Sequence, residues 1–239
     1  MRIGYFTDLH YRGAVPGTSP IAKRECRRVL GLLETCLADL SRRGVDLLIC
    51  TGDLVDDPEH PAAPEDLAAL RKVIEATGLP SILLPGNHDP APEAFYRVFD
   101  RPTAVIQADG GQIVSFCDDV VEEGSLASTR ADSALAQMRS SLGQPSPGWT
   151  LALQHYLIYP DRNEGYPHNY ANAAAIRAIM EASPRALVSV SGHFHPGCEA
   201  TRHNGVTYLC GGAFCEAPHP YYVIEIETAG VSIQAFRLG

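Results

Sequence analysis

The chain has 239 residues, 45% hydrophobic and 20% charged, enough apolar side chain for a self-sufficient core. Nineteen Lys and Arg against 28 Asp and Glu give a net charge of −9, which argues against nonspecific nucleic-acid binding through a broadly basic surface. No apolar stretch approaches the ~20 residues of a membrane span, and Met1-Arg2 leads into an apolar strand without a signal-like segment, so a cytoplasmic location is expected.

Arg2 to Thr7 reads as a short buried strand, broken by Asp8-Leu9-His10, and residues 11 to 20 as a Gly/Pro-rich loop. From Ile21 to Arg43, Cys26, Val29, Leu30, Leu33, Leu37 and Leu40 recur at helical spacing, and Gly44 supplies a stop. The basic cluster Lys23-Arg24-Glu25-Cys26-Arg27-Arg28 at the start of that helix reads as one solvated face. Val45 to Thr51 is an apolar run of strand length that meets Gly52-Asp53. A loop over 57–64 and a helix over Glu65–Thr77 lead to the strand Ser81–Leu84, which runs into Pro85-Gly86-Asn87-His88-Asp89.

Two strands are expected between Pro102 and Cys117 around the turn Asp109-Gly110-Gly111, then a helix over Ala131–Leu142 and a loop over Gly143–Gly148. The strand Trp149–Gln154 ends at His155, and Tyr156 to Asn172 forms a long polar-aromatic loop. A helix over Ala173–Ala182 and the strand Ala186–Ser191 lead to Gly192-His193-Phe194-His195. Val206–Leu209, Tyr221–Glu227 and Val231–Arg237 alternate like antiparallel strands. No internal repeat or linker interrupts the series, which predicts one α/β domain over 1–239. Seven cysteines without a C-x-x-C pair fit reduced thiols better than a disulfide framework.

The polar clusters carry the chemistry. Each follows a strand, and α/β sheets gather ligands beyond the carboxyl ends of their strands. A carboxylate and an imidazole at Asp8 and His10 can share a metal ion. Asp53, turned out of the sheet after Gly52, has two oxygens and can bridge two cations ~3.5–4 Å apart. Asn87 offers an amide oxygen beside His88, and His155, His193 and His195 add imidazoles. Singly, each residue is more often a turn former, a cap or a hydrogen-bonded loop residue. Five such groups at five strand ends point together to a metal centre.

The ordered series Asp8-x-His10, Gly52-Asp53-x-x-Asp56, Gly86-Asn87-His88-Asp89, Gln154-His155 and Gly192-His193-x-His195 resembles the calcineurin-like metallophosphoesterases. The resemblance implies a four-layer αββα sandwich of two mixed β-sheets flanked by helices. It implies two divalent or trivalent metal ions (Mn, Fe or Zn), one held by Asp8, His10, Asp53 and His195. The other would be held by Asp53, Asn87, His155 and His193. It also makes His88 the group that contacts the substrate phosphate and protonates the leaving group, oriented by Asp89. Metal-activated hydroxide would attack a small phosphodiester or phosphomonoester, the diester being favoured.

Val55-Asp56-Asp57-Pro58 replaces the Asp-Arg-Gly of Ser/Thr protein phosphatases, and His88 stands where lipid A pathway diphosphatases carry Arg. The Gly-Asp-Leu-x-Asp-Asp and Gly-Asn-His-Asp forms look like those of small bacterial class III cyclic-nucleotide-phosphodiesterase-like enzymes. Candidate substrate contacts are Asn87 and His88, with Arg12 beyond the first motif and Arg162, Tyr166 and His168 in the 156–172 loop. Aromatic side chains there could stack on a base, and Arg162 could pair with a phosphate. Glu216 and His219, in a Pro-rich stretch, read as a structural turn. A noncatalytic binding module on the same fold would have lost metal-binding positions, and none is lost. A single-strand nuclease would need a basic groove.

Overall fold

The apolar runs between the polar clusters become the central strands of two stacked sheets. The computed structural model describes residues 1–108, 110–117, 119–121, 127–143, 148–227 and 230–239. In chain order the first half comprises β1 (Arg2–Phe6), α1 (Val29–Arg42), β2 (Leu47–Cys50), α2 (Ala63–Glu75), β3 (Ser81–Leu83), α3 (Pro92–Phe95), β4 (Val105–Ala108) and β5 (Gly111–Ser115). The second half comprises β6 (Asp119–Val121), β7 (Ser128–Arg130), α4 (Asp132–Gly143), β8 (Trp149–Leu153), α5 (Ala173–Glu181), β9 (Ala186–Ser191), β10 (Cys198–His203), β11 (Val206–Cys210), β12 (Pro220–Glu227) and β13 (Gly230–Arg237).

One sheet has the order β13-β12-β1-β2-β3 and the other β10-β11-β9-β8-β5-β4, with β6-β7 a separate ribbon. Both large sheets are mixed. β1, β2 and β3 are parallel while β12 runs antiparallel to β1. In the second sheet β5, β8, β9 and β11 are parallel, flanked by antiparallel β4 and β10.

The two-residue period of a strand sorts side chains between layers. Ile3, Tyr5, Leu47 and Ile49 face the second sheet, where they meet Leu151, Leu153, Val188 and Val190. Their neighbours Phe6, Leu48 and Cys50 face the other way, against Leu33, Leu37 and Leu40 of α1 and Leu67 and Leu70 of α2. On the far side, Met138 and Leu142 of α4 and Ile176 and Met180 of α5 cover Val114, Ala152 and Leu187. Three apolar interfaces thus separate four layers, helix on sheet on sheet on helix. Among the described residues, no helix is long and apolar enough to cross a membrane.

Three expectations change. α1 begins at Val29, not Ile21, because residues 21–28 make tertiary contacts instead of helical ones: Glu25 N–H donates to Cys215 O, and the Arg27 guanidinium holds the carbonyls of Gly13, Val15 and Gly17. β11 is not part of an antiparallel series with β12 and β13; it lies parallel to β9 in the second sheet. The edge strand β10 was hidden by its sequence Cys-Glu-Ala-Thr-Arg-His, whose exposed polar side chains have no apolar alternation to betray them. Asp109 of the expected turn, and residues 144–147 of the expected Gly143–Gly148 loop, lie outside the described residues.

Candidate metal centre

The carboxyl ends of β1, β2, β3, β8 and β9 bring five loops to one edge of the sandwich. Asp8, His10, Asp53 and His193 adopt φ of 55°, 43°, 55° and 66°, the left-handed region that non-glycine residues rarely occupy. Such strain persists only where the surroundings enforce it. Here backbone bonds from Asp8 N–H to Gly52 O, 3.0 Å, and from His10 N–H to Asp53 O, 2.9 Å, lock the first two loops together. The His193 N–H bonds both Asp8 carboxylate oxygens at 3.1 and 3.2 Å, which ties the second sheet's loop to the first sheet's. The approach leaves no room at Gly86 or Gly192. A Cβ on Gly86 would sit 2.3 Å from Asp53 Oδ1, and one on Gly192 2.4 Å from Asp8 Oδ2.

The donors converge in two sets. Asp8, His10, Asp53 and His195 form one, with His10 Nε2 3.1 Å from His195 Nε2 and 3.4 Å from Asp53 Oδ2, and His195 Nε2 3.7 Å from Asp8 Oδ1. Asp53, His155 and His193 form the other, with His155 Nε2 3.5 Å from Asp53 Oδ1 and 3.0 Å from Asn87 Oδ1. Asp53 therefore directs one oxygen at each set. All seven residues expected as metal ligands come together; most are buried, while Asn87 lies at the rim.

Two imidazole Nε2 atoms facing each other beside two carboxylates is an arrangement that a cation resolves. The buried His193 Nε2 has no hydrogen-bond partner among the described residues, a cost that ligation removes. The hydrogen bonds behind the rings also free the right nitrogens. His155 Nδ1 lies 2.8 Å from the Thr51 carbonyl and His195 Nδ1 2.5 Å from Glu216 Oε1, so Nδ1 carries the hydrogen and Nε2 keeps its lone pair. The residues present fit a pair of metal ions with mixed N/O ligation.

The charge balance is consistent with that. Burial would raise the Asp53 carboxyl, but the His155 and His10 imidazoles override it and hold it well below the carboxylate range. Burial would lower His155, yet the Asp53 carboxylate lifts it to about 9, so a proton takes the Nε2 lone pair until a metal displaces it. The site is electron-rich.

His88 lies half-buried, with its ring edge against His10 at 4.7 Å between centroids. Asp89 does not orient it. The Asp89 carboxylate is consumed by the N–H groups of Leu54, Val55 and Gly86, and burial together with Asp53 pushes it up to about 7. His88 Nδ1 is set by the Asp56 backbone carbonyl at 3.1 Å, and its N–H by Asp53 Oδ1 at 2.8 Å. The family resemblance implies that orienting role. The turn instead sends its carboxylate back to clamp two loops.

A cleft of about 400 Å³ opens over the centre, lined by Asp53, Asn87, His88, His193, His195, Lys23, Arg24, Tyr166 and His168, among others. Tyr166 and His168 stand 5.7 Å from the His193 ring, where a substrate contact was expected. Arg12 and Arg162 do not line the cleft. Arg12 is spent on the carbonyls of Pro16 and Thr18 and on Asp56 and Asp57, pinning its own loop. Arg162 lies outside, against Glu164 and the Phe194 ring.

Two residues at the site were missed. Arg24, 7% exposed at its side chain, lines the cleft with Nη1 3.2 Å from His10 Nδ1 and from Asp56 Oδ1. Glu216 accepts from His195 and is paired with Lys23 at 2.9 Å. Neither belongs to a motif. The one signal was the basic cluster at 23–28, which a solvated helix face seemed to explain.

The pattern of the calcineurin-like phosphoesterase family matches residues 1–197. The chain belongs to this family. A protein of Psychrobacter arcticus described as a probable cyclic nucleotide phosphodiesterase is 25% identical over 236 residues, covering 90% of this chain and 80% of its own. The fold matches that of a dimetal phosphatase from Danio rerio with a TM-score of 0.79 at 14% identity, over 100% of this chain and 99% of that one. It also matches a purple acid phosphatase from yellow lupin, TM-score 0.64 at 11% identity, over 99% of this chain and 51% of the other. The family's chemistry is metal-dependent phosphoester hydrolysis, and the paired donor sets lie beyond the carboxyl ends of the strands, where α/β sheets gather ligands.

Proposed function

We propose that this phosphoesterase hydrolyses a small phosphodiester in preference to a phosphomonoester. Asp8, His10, Asp53 and His195 would hold one metal, and Asp53, Asn87, His155 and His193 the other. The observation that carries this is the division of the two Asp53 oxygens between the donor sets. When bound, two such ions (Mn, Fe or Zn) neutralise phosphoryl charge and make hydroxide available near neutral pH.

The residues around the centre do the rest. His88 Nδ1, tied to the Asp56 carbonyl, leaves Nε2 to carry a proton to the departing alkoxide. Asn87 and His88 contact the phosphoryl group at the cleft floor, and Arg24 faces it from the wall with a cation. Tyr166 and His168, which also line the cleft, offer aromatic rings to a flat substituent. A cleft of about 400 Å³ with such a lining favours a phosphoryl group substituted on both sides, in keeping with the name of the bacterial relative.

The test is a hydrolysis screen of the Mn-loaded protein over cyclic nucleotides, nucleotide diphosphate esters, sugar phosphates, glycerophosphodiesters and bis-p-nitrophenyl phosphate. A diester should be turned over, chelation should abolish the activity, and His88→Ala should retain two metals while losing ~10²–10⁴-fold in turnover. Turnover that survives verified metal removal, or that is unchanged in His88→Ala, overturns the mechanism.

A further inference from the structure

Outside the cleft, behind the His193/His195 loop, two cysteines face each other across a hairpin. Cys198 of β10 is the register partner of Cys210 of β11 in the antiparallel ladder. Residues so opposed have Cα atoms about 4.5–5.5 Å apart, inside the range a disulfide requires. The two sulfurs are close enough to influence each other's protonation, and neither is in a disulfide.

Their settings differ in the way that a reactive pair needs. Cys210 is buried against Leu157 and Phe194, and its single thiol hydrogen is shared between Gly192 O, 3.2 Å away, and the Cys198 sulfur. Cys198 is only partly buried. The Cys210 thiol and then the Arg162 guanidinium hydrogen-bond it, bringing it down to about 7, whereas burial pushes Cys26 up to about 11 and raises Cys36, Cys50 and Cys215 as well. A half-exposed thiol beside a cation and a buried partner make an attacking and a resolving cysteine. This accounts for Arg162, which the cleft does not use.

We propose that Cys198 and Cys210 are a peroxide-sensitive pair that closes reversibly into a disulfide and thereby lowers the activity of the neighbouring site. The Cys198 thiolate attacks a peroxide oxygen. The O–O bond breaks, leaving a sulfenic acid at Cys198 and releasing hydroxide, which is protonated to water. The Cys210 sulfur then attacks the sulfenyl sulfur; the S–S bond forms, the S–O bond breaks, and the thiol proton leaves with the hydroxyl as a second water. Two thiols thus give up two electrons to one hydrogen peroxide, and a small thiol or dithiol reductant reverses the bond.

The link to the site is direct. A disulfide sulfur carries no hydrogen, so Gly192 O loses Cys210 as a donor while keeping the Phe194 N–H at 2.8 Å, and the sulfur is drawn toward β10. Gly192 immediately precedes His193, whose N–H holds the Asp8 carboxylate. The effect on turnover rests on the phosphoesterase reading; the bond itself does not.

The experiment titrates the full-length Mn-loaded protein with hydrogen peroxide and reads free thiols, non-reducing peptide maps, metal content and turnover of bis-p-nitrophenyl phosphate. Expected are the loss of two of the seven thiols, a single Cys198–Cys210 cross-link and a several-fold fall in turnover, all restored by dithiothreitol. C210S should trap a dimedone-reactive sulfenic acid at Cys198, and C198S should keep its turnover through the same titration. Retention of all seven thiols, or a cross-link between other cysteines, overturns the pair. A mapped cross-link with unchanged metal content and turnover overturns the regulation. Should the untreated protein hydrolyse no substrate, the phosphoesterase reading fails while the thiol count and the map still decide the disulfide.

Discussion

The floor and the walls of the cleft are built differently. Asp8, His10, Asp53, His155 and His193 are buried on loops at strand carboxyl ends, clamped by hydrogen bonds between one loop and the next. Lys23, Glu164, Tyr166 and His168 rise from segments without regular structure and keep part of their surface in solvent. Donors that must meet within a few ångströms need strained, over-determined backbone, whereas a wall that only has to admit a substrate does not. Under the proposed function, the floor would set the reaction and the walls what is accepted.

Mutations can break that division, and the largest effect belongs to the floor. Asp53→Ala removes the only carboxylate shared by both donor sets, so elemental analysis should find both metals lost and turnover at background. Retention of two metals would mean that Asp53 does not bridge. Glu216→Gln leaves the floor's ligands intact but weakens the acceptor behind His195, which should cost ~10–100-fold in metal affinity by competition with a chelator. Unchanged affinity would reduce the Glu216–His195 pair to a structural contact.

The smallest effects separate the two arginines. Arg24→Ala should raise KM about tenfold with metal content unchanged, the worth of one charge-assisted hydrogen bond to a phosphoryl oxygen. Metal loss in Arg24→Ala would place that residue in the floor, through His10 and Asp56. Arg12→Ala should leave KM alone and lower stability to urea by about 1–3 kcal/mol, since it leaves Oδ2 of the buried Asp56 carboxylate without its cationic partner and frees the loop that Arg12 pins.

Legibility in the sequence follows the same line between floor and walls. Every proposed metal-ligand position is legible because a parallel strand ends in a loop that faces the ligand, and each of these residues sits within a few positions of a recognisable strand end. The turn glycines beside Asp53, Asn87 and His193 added a second local signal. Arg12 and Arg162 misled because nearness to a motif in sequence says nothing about which way a long side chain turns. Arg12 found four partners nearer than the cleft, and Arg162 found Phe194 and Cys198.

By itself, then, the sequence determined the strand–helix alternation, the four layers implied by its motifs and the set of donors, because short-range periodicity and strand-end chemistry are local properties. Only the tertiary structure decided that Asp89 clamps loops rather than orienting His88. It also decided that Arg24 enters the cleft from a would-be helix face, that Glu216 stands behind His195, and that Cys198 meets Cys210. Those pairings join residues 21 or 12 positions apart, or bring separate turns together. What sets them is the register of strands and the burial of each turn, quantities that a linear pattern does not encode.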